Sequence, residues 1–125
     1  MANTLAPVNS LTVIRGASKT LELTVKDPDD SPIDLTGSRV VFTAKASITD
    51  TLPLIQKDSD KGITEVEIIN PTAGLARIYL SYLDTGSLDP GLYEFDVWVH
   101  LASGKRYPVI GPCELEVHPA VTILA

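Results

Sequence analysis

Two clusters of aspartates could form calcium sites, because calcium often binds in loops rich in carboxylates. They lie in "DPDDSPID" and "KDSDKG" and contain Asp27, Asp29, Asp30, Asp34, Asp58 and Asp60. A calcium loop starting at Asp58 would place Ile69 at the twelfth position, where a bidentate glutamate is required. Aspartate is also a favoured turn residue. We therefore expect both clusters to be solvated turns, and we predict no metal site.

The histidines and the cysteine could serve as zinc ligands, and the cysteine also as a nucleophile. His100 and His118 are far apart in the sequence, and both fall on expected solvent-facing positions. Cys113 opens an alternating segment, where a buried thiol is expected. The sequence carries no nucleophile elbow, phosphate loop or metalloprotease helix motif. We thus predict no cofactor and no catalytic residues, and we expect a protein that is not an enzyme.

Aromatic residues at outward-facing positions could bind a partner or a ligand. Trp98 alternates out of phase with the inward series that begins at Tyr93, so we expect it on the solvent side of its strand beside His100. An exposed tryptophan typically contacts a protein partner or a sugar ring. The alternative is that another segment of the chain covers it. Trp98, His100 and Tyr79 are the candidate partner contacts, and Tyr79 or Tyr82 could share a stacking platform with Trp98.

Alternation of apolar and polar residues predicts the strands that carry these side chains. It is clear in "TLELTVK", "RVVFTAK", "LARIYL" and "YEFDVWVH", and again after the "ASGK" turn in a return strand and in a last strand, "CELEV". "LDTGSL" predicts one helical turn capped by Asp84 or Thr85. About seven or eight strands separated by turn residues are typical of an immunoglobulin-like antiparallel β-sandwich. Tyr93 is either the corner tyrosine of such a fold or a plain core aromatic.

Length and charge restrict the class of protein further. The 125 residues suit a single domain, 1–125, in which residues 1–10 and 119–125 are either frayed ends or docking arms. A formal net charge of −6 repels a phosphate backbone, so we expect no nucleic-acid binding. "MANTLAPVNS" lacks the regions of a signal peptide, and no apolar run is long enough to span a membrane. One cysteine permits no internal disulfide, which fits synthesis in a cytoplasm.

A series of short motifs also occurs in a familiar order. "RG" precedes an alternating strand, and a polar turn leads into "DLTG" and a strand carrying "FTAK". A "KGI" turn, "DTGSLDPGLYEFDV" and a glycine before the last strand follow. Over about residues 11 to 122 this order resembles the immunoglobulin-like domain of tailed-phage virion proteins, notably at the N-terminus of the baseplate upper protein family.

The resemblance implies a non-enzymatic structural protein of the virion, made in the cytoplasm of the bacterial host. It would act as an adaptor or attachment module of the tail, baseplate or fibre. The implied partners are other virion proteins, and the symmetry of tail parts suggests a trimer or hexamer. The family's domain usually leads into a longer fibre-forming or receptor-binding region, whereas this sequence ends shortly after Thr122, so we do not expect an appended receptor-binding domain. The alternative is a carbohydrate-binding or adhesive β-sandwich module that uses Trp98.

Overall fold

The alternating segments form strands in the computed structural model, which describes residues 3–4 and 10–122. The strands are β1 Asn3–Thr4, β2 Ser10–Ile14, β3 Lys19–Lys26, β4 Arg39–Lys45, β5 Ile55–Asp58, β6 Val66–Asn70, β7 Leu75–Leu80, β8 Gly91–His100 and β9 Arg106–His118. Two 3-10 turns, Ser59–Lys61 and Pro71–Ala73, and the short helix α1, Tyr82–Gly86, connect some of them. Within these ranges, no helix has the length and apolar character that a membrane span requires.

The strands build two sheets, ordered β1-β3-β7-β6 and β2-β9-β8-β4-β5. The predicted immunoglobulin-like β-sandwich is confirmed, with the two-residue β1 as an additional strand. Of the pairs between described strands, β2 with β9 is parallel rather than antiparallel, in register from Ser10 opposite Glu114 to Ile14 opposite His118. The reason is connectivity: β2 continues into β3 of the other sheet, so it joins β9 from a distant part of the chain rather than through a hairpin.

The prediction that the return strand and "CELEV" are separate is wrong, because β9 runs unbroken from Arg106 to His118. Its pairing with β8 shifts register between Phe95 and Val97, beside Gly111 and Pro112. Proline has no N–H to donate to the ladder, and a bulge is where a strand accommodates it. Gly111 and Pro112, which suggested a break between two strands, are therefore accommodated within one strand at this bulge.

The predicted inward positions form the core between the sheets. Phe42 and Phe95 stack across β4 and β8, with their ring centroids 5.5 Å apart. The buried set comprises Val13, Leu23, Val25, Leu35, Val40, Phe42, Ala44, Ile55, Val66, Ala76, Ile78, Leu80, Leu88, Phe95, Val97, Val99, Val109, Leu115 and Val117. Because strand side chains alternate between faces, this burial directs the intervening residues of β4, β8 and β9 to the outer side of the five-stranded sheet.

The N-cap of helix α1 lies three residues or more before the positions predicted from the sequence. Ser81, not Asp84 or Thr85, is the N-cap, and Ser81 and Asp84 form a reciprocal capping box. Thr85 is instead buried, where its hydroxyl donates to the carbonyl of Ala17 at 2.8 Å and accepts from the N–H of Gly16 at 3.1 Å. Ser81 follows β7 directly with an extended backbone, the conformation that an N-cap needs.

The sequence predicts that residues 1–10 and 119–125 are either frayed ends or docking arms. Within the first arm, Asn3 and Thr4 pair with Lys26 and Val25 of β3, and Ser10 begins β2. Residues 1–2, 5–9 and 123–125 lie outside the described residues.

Tyr93 is the corner tyrosine of the fold. Its hydroxyl donates to the backbone carbonyl of Asp89 at 2.6 Å, which closes the turn before β8. Replacing Tyr93 with phenylalanine should lower the free energy of unfolding by about 1 kcal/mol, the usual worth of one such hydrogen bond. Urea denaturation measures this. Tyr107→Phe is the control, because the Tyr107 hydroxyl has no hydrogen-bond partner among the described residues; equal losses in the two variants would contradict a corner role.

Candidate binding face

The outer side of the five-stranded sheet, which we call the outer face, carries the candidate site. Strand register arranges its side chains in rows that run across the strands. We name them the basic row (Arg39, His100, Arg106), the tryptophan row (Val41, Trp98, Pro108), the polar row (Gln56, Thr43, Asp96) and the carboxylate row (Lys45, Glu94, Glu114). Charge therefore changes from positive to negative along β8, with Trp98 between the two ends.

Trp98 is 43% exposed, so no other described segment covers it. Its indole Nε1 donates to the Oδ2 atom of Asp96 at 3.0 Å. The two residues are two positions apart on one side of β8, so this bond holds the ring along the strand rather than upright from the sheet. The bond thus favours one orientation of the indole ring in the free protein.

Two depressions flank the indole. The first, about 360 Å³, extends over the polar row and is walled by Ile48 and Pro53 of the loop that joins β4 to β5. The second, about 240 Å³, lies over the basic row, where His100 and Arg106 meet Trp98. Trp98 contributes to both walls, so one ring separates a polar depression from a cationic one.

The side chains of the basic row differ in what they contact. The Arg39 guanidinium pairs with Asp58, with Nε to Oδ1 at 2.9 Å, and Nε also lies 3.5 Å from Asp60. Among the described residues, the side chains of His100 and Arg106 make neither an ion pair nor a hydrogen bond. Arg106 is exposed and His100 half-buried. Arg106 and His100 therefore keep their hydrogen-bonding capacity for a ligand.

The prediction that Asp58 lies in a solvated turn is wrong, because Asp58 is buried and only 2% exposed. It sits opposite Val41 on the outer face and is covered by Arg39. The hydrogen bond from Arg39 lowers the pKa of Asp58, outweighing burial, which raises it, and the N–H of Asp60 contributes at 3.0 Å. By contrast, Asp27 of the first cluster is an ordinary turn residue that accepts from two nearby backbone N–H groups.

The carboxylate row makes the opposite end of the outer face negatively charged. Glu94 lies directly across from Glu114, and both are exposed. Like charges placed directly opposite each other on a sheet repel. Lys45 lies across from Glu94 on the other side and offsets part of this charge. The formal charge of this row is therefore negative, opposite in sign to that of Arg106.

The loop from residue 46 to residue 54, which we call the apolar loop, borders the outer face. Ile48, Leu52 and Leu54 are 58%, 78% and 48% exposed. Single exposed aliphatic residues are common, but a group of them beside a depression is typical of a surface that another molecule covers. No sequence pattern marked this loop as a binding surface.

The candidate contacts predicted from the sequence do not all share one surface. Trp98 and His100 meet at the cationic depression. Tyr79 lies on β7 of the other sheet, where its hydroxyl donates to Glu67 at 2.8 Å and this bond raises its pKa. Tyr82 is in α1 and lines neither depression. A platform shared by Trp98 with Tyr79 or Tyr82 is therefore not formed.

Cys113 is half-buried opposite Phe95. Burial raises the pKa of its thiol, and the charge of Asp96 raises it further. Both effects disfavour the thiolate that a nucleophilic cysteine requires. In the part of the chain that the structure describes, no group of three or more His, Cys, Asp or Glu residues could hold a metal ion.

The fold and the outer face define an immunoglobulin-like β-sandwich with an aromatic, charge-graded surface. No family model matches the sequence, and no curated protein matches it. Among solved structures, the chain is similar to CopC from Methylosinus trichosporium OB3b at 12% identity and a TM-score of 0.54, over 99% of this chain and 100% of that chain. Murine CRIg matches at 13% identity and a TM-score of 0.45, over 96% and 98%. At this identity the likeness to CopC shows the fold alone.

Proposed function

We propose that this chain is a non-enzymatic structural protein of a tailed-phage virion, an adaptor or attachment module of the tail, baseplate or fibre. Its partners are other virion proteins, and it assembles as a trimer or hexamer in keeping with the symmetry of tail parts. The order of motifs over residues 11 to 122 supports the virion role. The exposed aliphatic side chains of the apolar loop carry the proposal of an assembly role.

The apolar loop has the composition of a docking surface. Covering the side chains of Ile48, Leu52 and Leu54 removes apolar area from water, worth about 1.5–3 kcal/mol for each large side chain fully buried. The loop leads into β5, which ends the described order of its sheet, so a neighbouring protein could add a strand there. Apolar contact and strand addition at one edge together suit a permanent assembly contact.

The chemistry of the polar groups nearby supports a role without catalysis. The pKa of Cys113 is raised, and the buried carboxylate of Asp58 is paired with the half-exposed guanidinium of Arg39. A catalytic acid or base must instead be free to exchange its proton with a substrate. These groups are better suited to holding the sheet together than to reacting.

Leu52→Glu should reduce incorporation of this chain into particles by about tenfold or more, because a tenfold loss needs only about 1.4 kcal/mol. The measurement is the amount of variant chain in purified particles after complementation of a deletion. Ile63→Glu is the matched control, since Ile63 is 69% exposed but lies outside the apolar loop. Equal incorporation of both variants, with unchanged thermal unfolding, would contradict docking through the apolar loop.

A further inference from the structure

Beyond this assembly role, we propose that the outer face binds a saccharide carrying an anionic group, with a sugar ring stacked on Trp98 and the anionic group held by Arg106 and His100. The site adjoins the apolar loop, whose Ile48 and Pro53 wall the depression over the polar row, but it does not include Leu52 or Leu54. The inference rests on the fixed indole, on the hydrogen-bonding groups beside it and on the gradient of charge along β8.

The indole of Trp98 is prepared for stacking. Its hydrogen bond to Asp96 fixes the ring along β8, and the ring remains 43% exposed. The apolar face of a pyranose ring packs well against such a surface, because an aromatic ring offers a large contact area at low cost in conformational entropy. A ring already held in one orientation loses little further freedom when a ligand binds.

The polar row supplies partners for sugar hydroxyl groups. Gln56 donates through Nε2 to the Thr43 hydroxyl at 3.2 Å, which orients the amide and leaves its carbonyl oxygen as an acceptor. Asp96 uses Oδ2 for Trp98 and keeps Oδ1 available as an acceptor. The depression over these groups, about 360 Å³, falls in the range of roughly 300–1,000 Å³ common for small-ligand sites.

Charge complementarity selects an anionic ligand. Arg106 and His100 are direct neighbours across β8 and β9, and neither side chain has a partner among the described residues. A guanidinium binds carboxylate or phosphate oxygens bidentately. At the other end Glu94 and Glu114 repel such a group, so a bound sugar has one favoured direction along the strand. The chain carries a net charge of −6, so anion binding must come from this local arrangement.

A protein segment is a weaker fit to this part of the outer face. The centre of a protein interface is usually apolar and depleted of charge. The direct neighbours of Trp98 across the strands are the apolar Val41 and Pro108, but the depressions on either side of the ring also present amide, hydroxyl, carboxylate and guanidinium groups. The exposed aliphatic side chains Ile48, Leu52 and Leu54 beside this region belong to the apolar loop. Polar groups around one aromatic ring match a ligand that is itself covered with hydroxyl groups.

Trp98 is the only tryptophan in the chain, so its fluorescence reports on the site directly. The full chain would be titrated with galacturonic acid trimer and, in parallel, with the neutral galactose trimer. We expect a saturable change in emission with the acidic trimer and at least about tenfold weaker binding of the neutral one. Arg106→Gln should reduce the affinity for the acidic trimer to that for the neutral trimer. Arg77→Gln, on the other sheet, should leave both affinities unchanged.

Calorimetry on Trp98→Ala completes the test, because that variant lacks the fluorophore; we expect no detectable binding in a chain that still unfolds cooperatively. Equal affinity for the two trimers, an Arg106→Gln variant that keeps the preference, or no saturable response to the acidic trimer would overturn the proposal. The same variants test the assembly role independently of saccharide binding. Leu52→Glu should leave the titration unchanged, and Trp98→Ala should leave incorporation into particles unchanged.

Discussion

Replacing Gly74 with alanine should destabilise the fold by about 3 kcal/mol, through a left-handed backbone costing roughly 1–2 kcal/mol and a steric clash costing roughly 1–3 kcal/mol. Gly74 has φ of +70°, and a Cβ atom there would lie 2.5 Å from the carbonyl oxygen of Val25 and 3.0 Å from that of Ile33. Both neighbours are backbone atoms, which cannot move without disturbing the pairing of β3. Urea denaturation followed by circular dichroism would measure the loss.

Gly37→Ala separates the two causes, because Gly37 has the same φ of +70° but its added Cβ would meet only the Ala102 side chain at 3.4 Å. This variant should lose only the conformational part, about 1–2 kcal/mol. If both variants lost the same free energy of unfolding, close packing of Gly74 against β3 would not be the reason for glycine at that position.

Replacing Arg39 with methionine should lower the free energy of unfolding by about 3 kcal/mol, because it leaves a buried carboxylate without its cation. Asp58 is 2% exposed and depends on Arg39 for its charge partner. Arg77→Met is the control, since the partner of Arg77 is the exposed Glu22 and such pairs contribute at most about 1 kcal/mol. Adding Asp58→Asn to Arg39→Met should recover part of the loss. No recovery would contradict an unpaired charge as its cause.

Acid should reduce the difference between the wild-type chain and Arg39→Met. The hydrogen bond from Arg39 lowers the pKa of folded Asp58 below its usual value of 3.8, so ionised Asp58 stabilises the fold fully above that value. This contribution is lost as the pH falls through the lowered pKa. Without Arg39, burial favours the neutral carboxyl, and the variant should lose less stability on acidification. A difference that stays constant from pH 7 to pH 3 would contradict this account.

The strands were largely predictable because alternation depends on each strand separately. Val40, Phe42 and Ala44 lie two residues apart and so share one face whichever strand they pair with, and all are buried. Pairing was not predictable in the same way. The parallel partner of β2 and the continuity of β9 through Gly111 and Pro112 depend on contacts between distant segments and on a bulge.

The candidate site was predictable only in part for the same reason. Trp98 and His100 were correctly placed on one face, because they are two residues apart on one strand. Arg39 and Arg106 join them only through the pairing of β4 and β9 with β8, which sequence spacing does not reveal. Tyr79 also faces outward, but alternation does not say which sheet a strand belongs to.

Asp58 was misassigned because its local sequence, "KDSDKG", has the composition of a solvated turn. Its burial depends on Arg39, which lies 19 residues earlier in the chain. Register brings β4 and β5 together, and the two side chains then pair over the outer face. A polar run can therefore contain a buried, ion-paired carboxylate that composition alone does not indicate.

We propose that this chain is a structural part of a virion, and mass-spectrometric quantification of the chain in gradient-purified phage particles is the direct test of this role. We expect a fixed number of copies per particle, constant from one preparation to the next and proportional to the portal protein. The chain should also remain associated through a high-salt wash, because an apolar contact is not screened by salt. Particles that contain the portal protein at full amount but none of this chain would rule out a structural role in the virion.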